Sequence, residues 1–223
     1  MILNDAQSGV ASALASTGFD VNALTIGSGA NRALVVSLGW LATVTSVTVI
    51  WDPTGTNQSL TLIKTDVSTN ARMASIYGLV APTSGNKTLR IAWTTSTECA
   101  LNAFSYTGVD QTGGTTTFPN SGSATGTSTT PAITTTTKFD RCCNSVIASG
   151  ASQALNSTSP APSWLYHGTG LVEIGGSRPL STSSSISFTG TLAGSDQWVI
   201  VATDIVEFIP AAPANSVFSF LKV

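Results

Sequence analysis

Charged side chains are scarce in this chain of 223 residues, where Asp, Glu, Lys and Arg together make up 9%. An ordinary soluble domain carries about 25%. The formal net charge is −2, and the sequence contains no cluster of Lys or Arg. Nucleic-acid binding depends on clustered positive charge, so we expect no nucleic-acid partner. With hydrophobic residues at 42%, the surface must be covered largely by Ser, Thr, Asn and Gly.

Cysteine is also rare, and the chain has only Cys99, Cys142 and Cys143. No Cys-x-x-Cys pair occurs, and two adjacent cysteines do not easily ligate one tetrahedral ion, which argues against a zinc site. We expect three unpaired thiols from a reducing compartment; a disulfide from Cys99 to Cys142 or Cys143 is the alternative. The sequence predicts no metal and no cofactor.

A secretion signal and long apolar runs are missing as well. The beginning, MILNDAQSGVASALASTGFD, has neither a basic segment nor a long apolar core. No apolar run approaches the ~18 residues that span a bilayer. We therefore expect synthesis in a host cytoplasm and no membrane partner. A polar, nearly uncharged surface without an export signal is typical of a protein that leaves the cell by lysis, inside a virus particle.

Short strand-like runs separated by turn residues are what the sequence does contain. In the first half they cover residues 33–40, 44–51, 58–67, 73–80, 87–94 and 99–107. In the second half they cover 130–136, 144–150, 163–166, 171–174, 185–191 and 197–208. The one weak helical signal covers 6–15. This pattern predicts an all-β fold, an antiparallel two-sheet β-sandwich of jelly-roll-like type.

The domain organisation depends on a Ser/Thr-rich stretch at about 111–127, which we interpret as a long loop. We expect a single β-sandwich domain over 1–208, followed by an extended C-terminal arm over 209–223. A domain boundary near residue 120 is the alternative, but neither half would then bury a large core.

Several segments together resemble a family of β-sandwich domains found in bacteriophage, prophage and bacterial surface proteins. One is the run NRALVVSLGW; a second is YGLVAPTSG, which matches a Y-x-L-V-x-P-x-x-G strand and turn. A third is SYTGVDQT, which matches the strand end S-F/Y-x-G-V-D-Q-T. The resemblance extends over about 30–208, and it implies a jelly-roll-like sandwich in a phage or surface context without implying an activity.

Acidic residues and the lone histidine are the candidates for chemistry. Asp110 follows a strand, where it is either a Ca²⁺ ligand or the closing residue of an Asx turn; the lack of acidic neighbours favours the turn. Asp204 and Glu207 are three apart, so on a strand they point to opposite faces and form no carboxylate pair. His167, expected in a loop, has no Gly-x-Ser-x-Gly nucleophile to serve. We therefore predict no catalytic residue and no enzymatic activity.

Exposed aromatic rings can stack on sugars. Trp164, Tyr166 and His167 lie together after a proline-rich turn and form the candidate glycan patch. The other tryptophans lie mostly in apolar strand runs, where burial in the core is expected.

The C-terminal arm, IPAAPANSVFSFLKV, combines a Pro/Ala spacer with an apolar tip of alternating character. Proline favours an extended spacer, and an exposed apolar tip is typical of an interaction site. Val217, Phe218, Phe220 and Leu221 are the candidate partner-binding residues. They either fold back on their own domain or add to a neighbour's sheet or groove.

These features favour a structural bacteriophage virion protein, most concretely a capsid decoration or cement protein. Its expected partners are the major capsid protein or other virion proteins, and further copies of itself in a homo-oligomer, here expected to be a trimer. A carbohydrate-binding module of a tail fibre or cell-surface protein, with surface glycans as ligands, is the first alternative. A non-enzymatic tail or adhesion component is the second.

Overall fold

The computed structural model describes residues 3–7, 11–150, 153–167 and 172–210 of the chain. These residues form antiparallel β-sheets, with one helical turn, α1 (Gly114–Thr117). The predicted all-β, antiparallel sandwich fold is confirmed. The number of sheets differs from the prediction, because the described strands form three sheets instead of two. The part of the chain that the structure describes contains no helix with the length and apolar character to span a membrane.

The first sheet has eight strands and is built from the first half of the chain, in the order β5-β4-β8-β3-β7-β6, with β1 and β2 also paired to β8. Its strands are β1 (Leu3–Gln7), β2 (Ala11–Ile26), β3 (Ala33–Trp40), β4 (Thr48–Trp51), β5 (Gln58–Ser59), β6 (Thr61–Val67), β7 (Met73–Val80) and β8 (Gly85–Thr107). Because β8 is 23 residues long, its two ends pair with different strands, and the sheet curls into a nearly closed barrel.

The second half of the chain forms a five-stranded sheet, β13-β14-β11-β16-β9, and a three-stranded sheet, β10-β15-β12. The strands are β9 (Gly122–Ser128), β10 (Ala132–Thr136), β11 (Cys142–Gly150), β12 (Leu155–Ser159), β13 (Ser163–His167), β14 (Val172–Ser177), β15 (Ser185–Leu192) and β16 (Asp196–Ile205). Strand β11 is buried along its whole length because it has packed side chains on both faces.

The buried side chains form three hydrophobic cores, one inside the eight-stranded sheet and two between neighbouring sheets. The first lies inside the curled sheet and includes Trp40, Trp51 and Trp93. The second lies between the eight-stranded and five-stranded sheets, and Phe104 and Trp164 meet in it with ring centroids 6.4 Å apart. The third lies between the five-stranded and three-stranded sheets. The middle core takes side chains from both halves of the chain, so the halves share buried apolar surface.

Three local predictions are wrong. The weak helix predicted over 6–15 is replaced in its described residues by β1 and the start of β2, because pairing with β8 outweighs local propensity. The runs 87–94 and 99–107, predicted as two strands, form the single strand β8, because the residues at 95–97 contain no Gly or Pro and two of them are Thr, which suits an extended strand. Strand β9 begins inside the predicted loop at 111–127 and extends just past its end, and it pairs with β16.

Candidate interaction surface

The stretch TGVDQT is a corner that ends β8, as its turn chemistry predicts. Gly108 has a φ of +74°, a conformation that glycine adopts readily. Asp110 closes an Asx turn: the Thr112 N–H donates to its Oδ2 at 3.1 Å, and the Thr117 hydroxyl donates to the same oxygen at 3.0 Å. Burial raises the pKa of Asp110, but these hydrogen bonds outweigh it and hold the pKa below its usual value.

The same corner holds the segment that follows the last strand. The Asp110 N–H donates to the Val206 carbonyl at 2.9 Å, and the Phe208 N–H donates to the Gly108 carbonyl at 2.8 Å. The Val206 N–H donates in turn to the Thr117 carbonyl at 2.8 Å. Residues 206–208 are thus fixed against the corner by backbone hydrogen bonds. The corner therefore fixes the position of the segment that leads to the last described residue, Pro210.

Four exposed apolar side chains lie on segments that adjoin the paired ends of β11 and β16, where Cys142 pairs with Ile205 and bridges to Leu180. Of the large hydrophobic residues exposed in the described ranges, Ile209 is 82%, Phe139 67%, Leu180 53% and Phe208 38% exposed. Phe139 and Leu180 lie on two loops that are joined by a hydrogen bond from the Asp140 N–H to the Ser181 carbonyl at 2.9 Å. We call Phe139, Leu180, Phe208 and Ile209 the end surface.

A buried ion pair supports the loops beneath the end surface. Arg141 Nη1 lies 3.1 Å from Asp204 Oδ2, and the Asp204 side chain is only 1% exposed. The Asn120 amide and the Thr137 hydroxyl donate to the same oxygen at 3.1 and 3.2 Å. Asp204 therefore ties two loops to the end of β16, one at Asn120 and one that carries Thr137 and Arg141. Glu207 lies three residues further along, and its backbone bridges to Val109.

The three residues of the candidate glycan patch lie on strand β13 and do not form one exposed surface. Trp164 is buried and packs against Phe104, so it offers little ring surface to a sugar. Tyr166 is half-buried against the same core. His167 is exposed, and it belongs to β13 instead of the predicted loop. Its Nδ1 lies 2.5 Å from Glu173 Oε2, so the histidine is oriented by a carboxylate.

The predicted arm residues, Val217, Phe218, Phe220 and Leu221, lie outside the described residues. The described chain ends at Pro210, directly after the end surface. Within the described ranges, no group of three His, Cys, Asp or Glu side chains is placed to hold a metal ion. One broad depression of about 480 Å³ is lined by residues of β2 and β8, among them Phe19, Asp20 and Arg90.

The three cysteines are free and buried, which confirms the prediction of unpaired thiols. Burial raises the pKa of Cys142 to about 12 and that of Cys143 to about 11. Burial, with the Glu98 carboxylate nearby, also raises the pKa of Cys99. Each thiol is consequently a poor nucleophile near neutral pH.

We expect the native protein to resist thiol labelling. At pH 8, the rise in the pKa of Cys143 from 9 to about 11 lowers its thiolate fraction roughly a hundredfold, and burial blocks the reagent at all three cysteines. Titration with a chromogenic disulfide reagent at pH 8 should show no rapid reaction in buffer and three reacting thiols in denaturant. Rapid labelling of the native protein would contradict the buried positions.

The end surface was missed at the sequence level. Phe139 stands between charged residues in Lys-Phe-Asp-Arg, and Leu180 follows a proline. An apolar residue among charged or turn-forming neighbours indicates an exposed apolar side chain. The sequence does not show that the two loops lie side by side, which only the fold reveals.

Comparisons with known proteins leave the chain's family open. No protein family matches the sequence, and no curated protein matches it either. The resemblance to phage and bacterial-surface β-sandwich domains therefore stays a prediction.

Proposed function

We propose that the protein is a structural component of a bacteriophage particle, most concretely a capsid decoration or cement protein that stabilises the shell through contacts with other proteins. The observation that carries this proposal is the end surface. It consists of four exposed apolar side chains on segments beside the paired ends of β11 and β16, and two of them, Phe208 and Ile209, directly precede the last described residue, Pro210. Exposed apolar patches are typical of protein interaction sites.

The surroundings of the end surface suit a docking role. The corner at Gly108 and the ion pair of Arg141 with Asp204 hold its loops in place, so little ordering is needed on binding. The motifs that resemble phage β-sandwich domains support the same context. The partners in this proposal are the major capsid protein and further copies of this chain.

Charge substitutions on the end surface should prevent incorporation into particles. Ile209→Asp and Phe139→Asp change exposed positions, so folding should persist while a charge is placed in the contact. We expect at least a tenfold loss of the protein from gradient-purified particles, measured by quantitative mass spectrometry.

The matched control is Leu62→Asp, which changes an exposed leucine on the edge strand β6 outside the end surface. This variant should be incorporated like the natural chain. Undiminished incorporation of Ile209→Asp and Phe139→Asp would overturn the proposed role of the end surface.

A further inference from the structure

Strand β10 is an edge of the three-stranded sheet and carries no charge to protect it. Its sequence, AITTT, is rich in β-branched residues that favour added strands. Natural edge strands are usually protected by charges or proline. The edge strand β6 has such protection in Lys64 and Asp66, whereas β10 has none within its own length.

The hydrogen-bond register of β10 shows which backbone groups face outward. The Thr137 N–H donates to the Ser184 carbonyl, and the Gly190 N–H donates to the Pro131 carbonyl. Bonded pairs alternate in an antiparallel ladder, so the odd-numbered residues of β10 bond to β15. The backbone N–H and C=O groups of Ala132, Thr134 and Thr136 therefore point to the side of β10 that pairs with no strand in the described residues, called the free edge below.

A groove accompanies this edge. It has a volume of about 240 Å³ and lies between β10 and β9, which is one of the two edge strands of the five-stranded sheet. Ile133 and the buried Thr135 line it from β10, and Gly122 lines it from β9. At Gly122 an added Cβ would lie 2.9 Å from Thr135 Cγ2, so the two strands approach closely there. A strand added to β10 would point alternate side chains into this uncharged groove.

The chain itself contains a segment that fits such an edge. Residues 217–221, VFSFL, alternate like a strand, and they follow Pro210 by a spacer that contains a second proline. We propose that the free edge of β10 accepts residues 217–221 of a second copy as an added strand. This inference rests on the proposed function, since it names the contact by which copies of the chain associate.

The path of the last described residues favours a second copy over the same chain. Asn120, at one end of the groove, bonds to Asp204. From there the chain runs on to Phe208, which bonds to Gly108 of the other half. Four strand-like residues carry the chain about 13 Å. The described chain thus ends past the residue that borders its own groove, and a spacer stiffened by Pro210 and Pro213 favours continued extension over a turn back to that groove.

The test uses two variants of the full chain and their mixture. Thr134→Pro removes an outward N–H that β15 does not use, so the fold should tolerate it while the edge is blocked. Phe220→Asp leaves the edge intact and disables the added strand. By sedimentation, the natural chain should have at least twice the chain mass of 22.7 kDa, and each variant alone should be a monomer. Mixed together, the two variants should form a 1:1 complex, because each supplies what the other lacks.

Thr134→Val is the control, because it keeps the backbone N–H and removes only the hydroxyl; it should associate like the natural chain. A peptide of residues 215–223 added to the natural chain should compete with association, which tests the edge even if Thr134→Pro fails to fold. A monomeric natural chain, or association that survives Thr134→Pro, would overturn the inference. Incorporation into particles without edge-dependent association would overturn this inference alone, whereas edge-dependent association without incorporation would overturn the proposed function alone.

Discussion

Replacing Arg141 with Met is expected to lower the free energy of unfolding by about 3–5 kcal/mol, the usual cost of removing one partner of a buried ion pair. Arg141 is the cation that faces Asp204, whose side chain is 1% exposed. Without it, the carboxylate would keep only its hydrogen bonds from Asn120 and Thr137. Urea unfolding monitored by far-UV circular dichroism measures the loss.

The matched control is Arg90→Met. Arg90 contacts Asp20 through two hydrogen bonds of 2.9 and 2.8 Å, a better geometry than that of Arg141, but its side chain is 46% exposed. Water replaces a lost partner at such a site, so we expect a far smaller change. In the double variant Arg141→Met/Asp204→Leu, part of the lost stability should return because no buried charge remains. Equal losses for Arg141→Met and Arg90→Met would contradict the buried ion pair.

Replacing Phe104 with Ala is the second substitution with a large expected effect, a loss of about 3–5 kcal/mol from the transfer and cavity terms. The ring is fully buried in the middle core, packs against Trp164, and has Arg178 Cζ 4.7 Å from its centroid. The substitution removes contacts of both halves of the chain at once. Urea unfolding followed by tryptophan fluorescence and by circular dichroism measures the loss and tests whether the two signals coincide.

Phe188→Ala is the comparison for Phe104→Ala. Phe188 is equally buried, but its core is built only from strands of the second half. Both variants should lose similar stability, since similar apolar area is exposed. Only Phe104→Ala removes packing between the halves, so only this variant should separate the two unfolding signals. A loss under about 1 kcal/mol for Phe104→Ala would contradict its place between the sheets.

Strands that consist of a compact apolar run beside turn residues were predictable from the sequence. Ala33–Trp40 and Met73–Val80 were predicted with the bounds that the structure has, because each is a compact apolar run beside turn residues. Strand β9 and the described start of β2 have no such run, and they form because β16 and β8 supply pairing partners. Pairing of this kind is a long-range property that a local pattern does not contain.

The same distinction explains the candidate site. The turn at Asp110 follows from local chemistry, since its partner Thr112 is two residues away. The end surface joins loops around Phe139, Leu180 and Phe208 that are far apart in the sequence, so no local pattern indicates it. Whether Trp164 is exposed depends on a facing sheet, which the sequence of β13 alone does not reveal.

The central proposal is that this chain binds other proteins of a phage particle. The distribution of the chain in a density gradient tests this proposal most directly. Intact particles from a lysate of the source culture would be banded, and the chain and the major shell protein quantified in every fraction by mass spectrometry. We predict a constant ratio of the two proteins across the particle band. A chain found only in the soluble fractions at the top of the gradient would contradict the account.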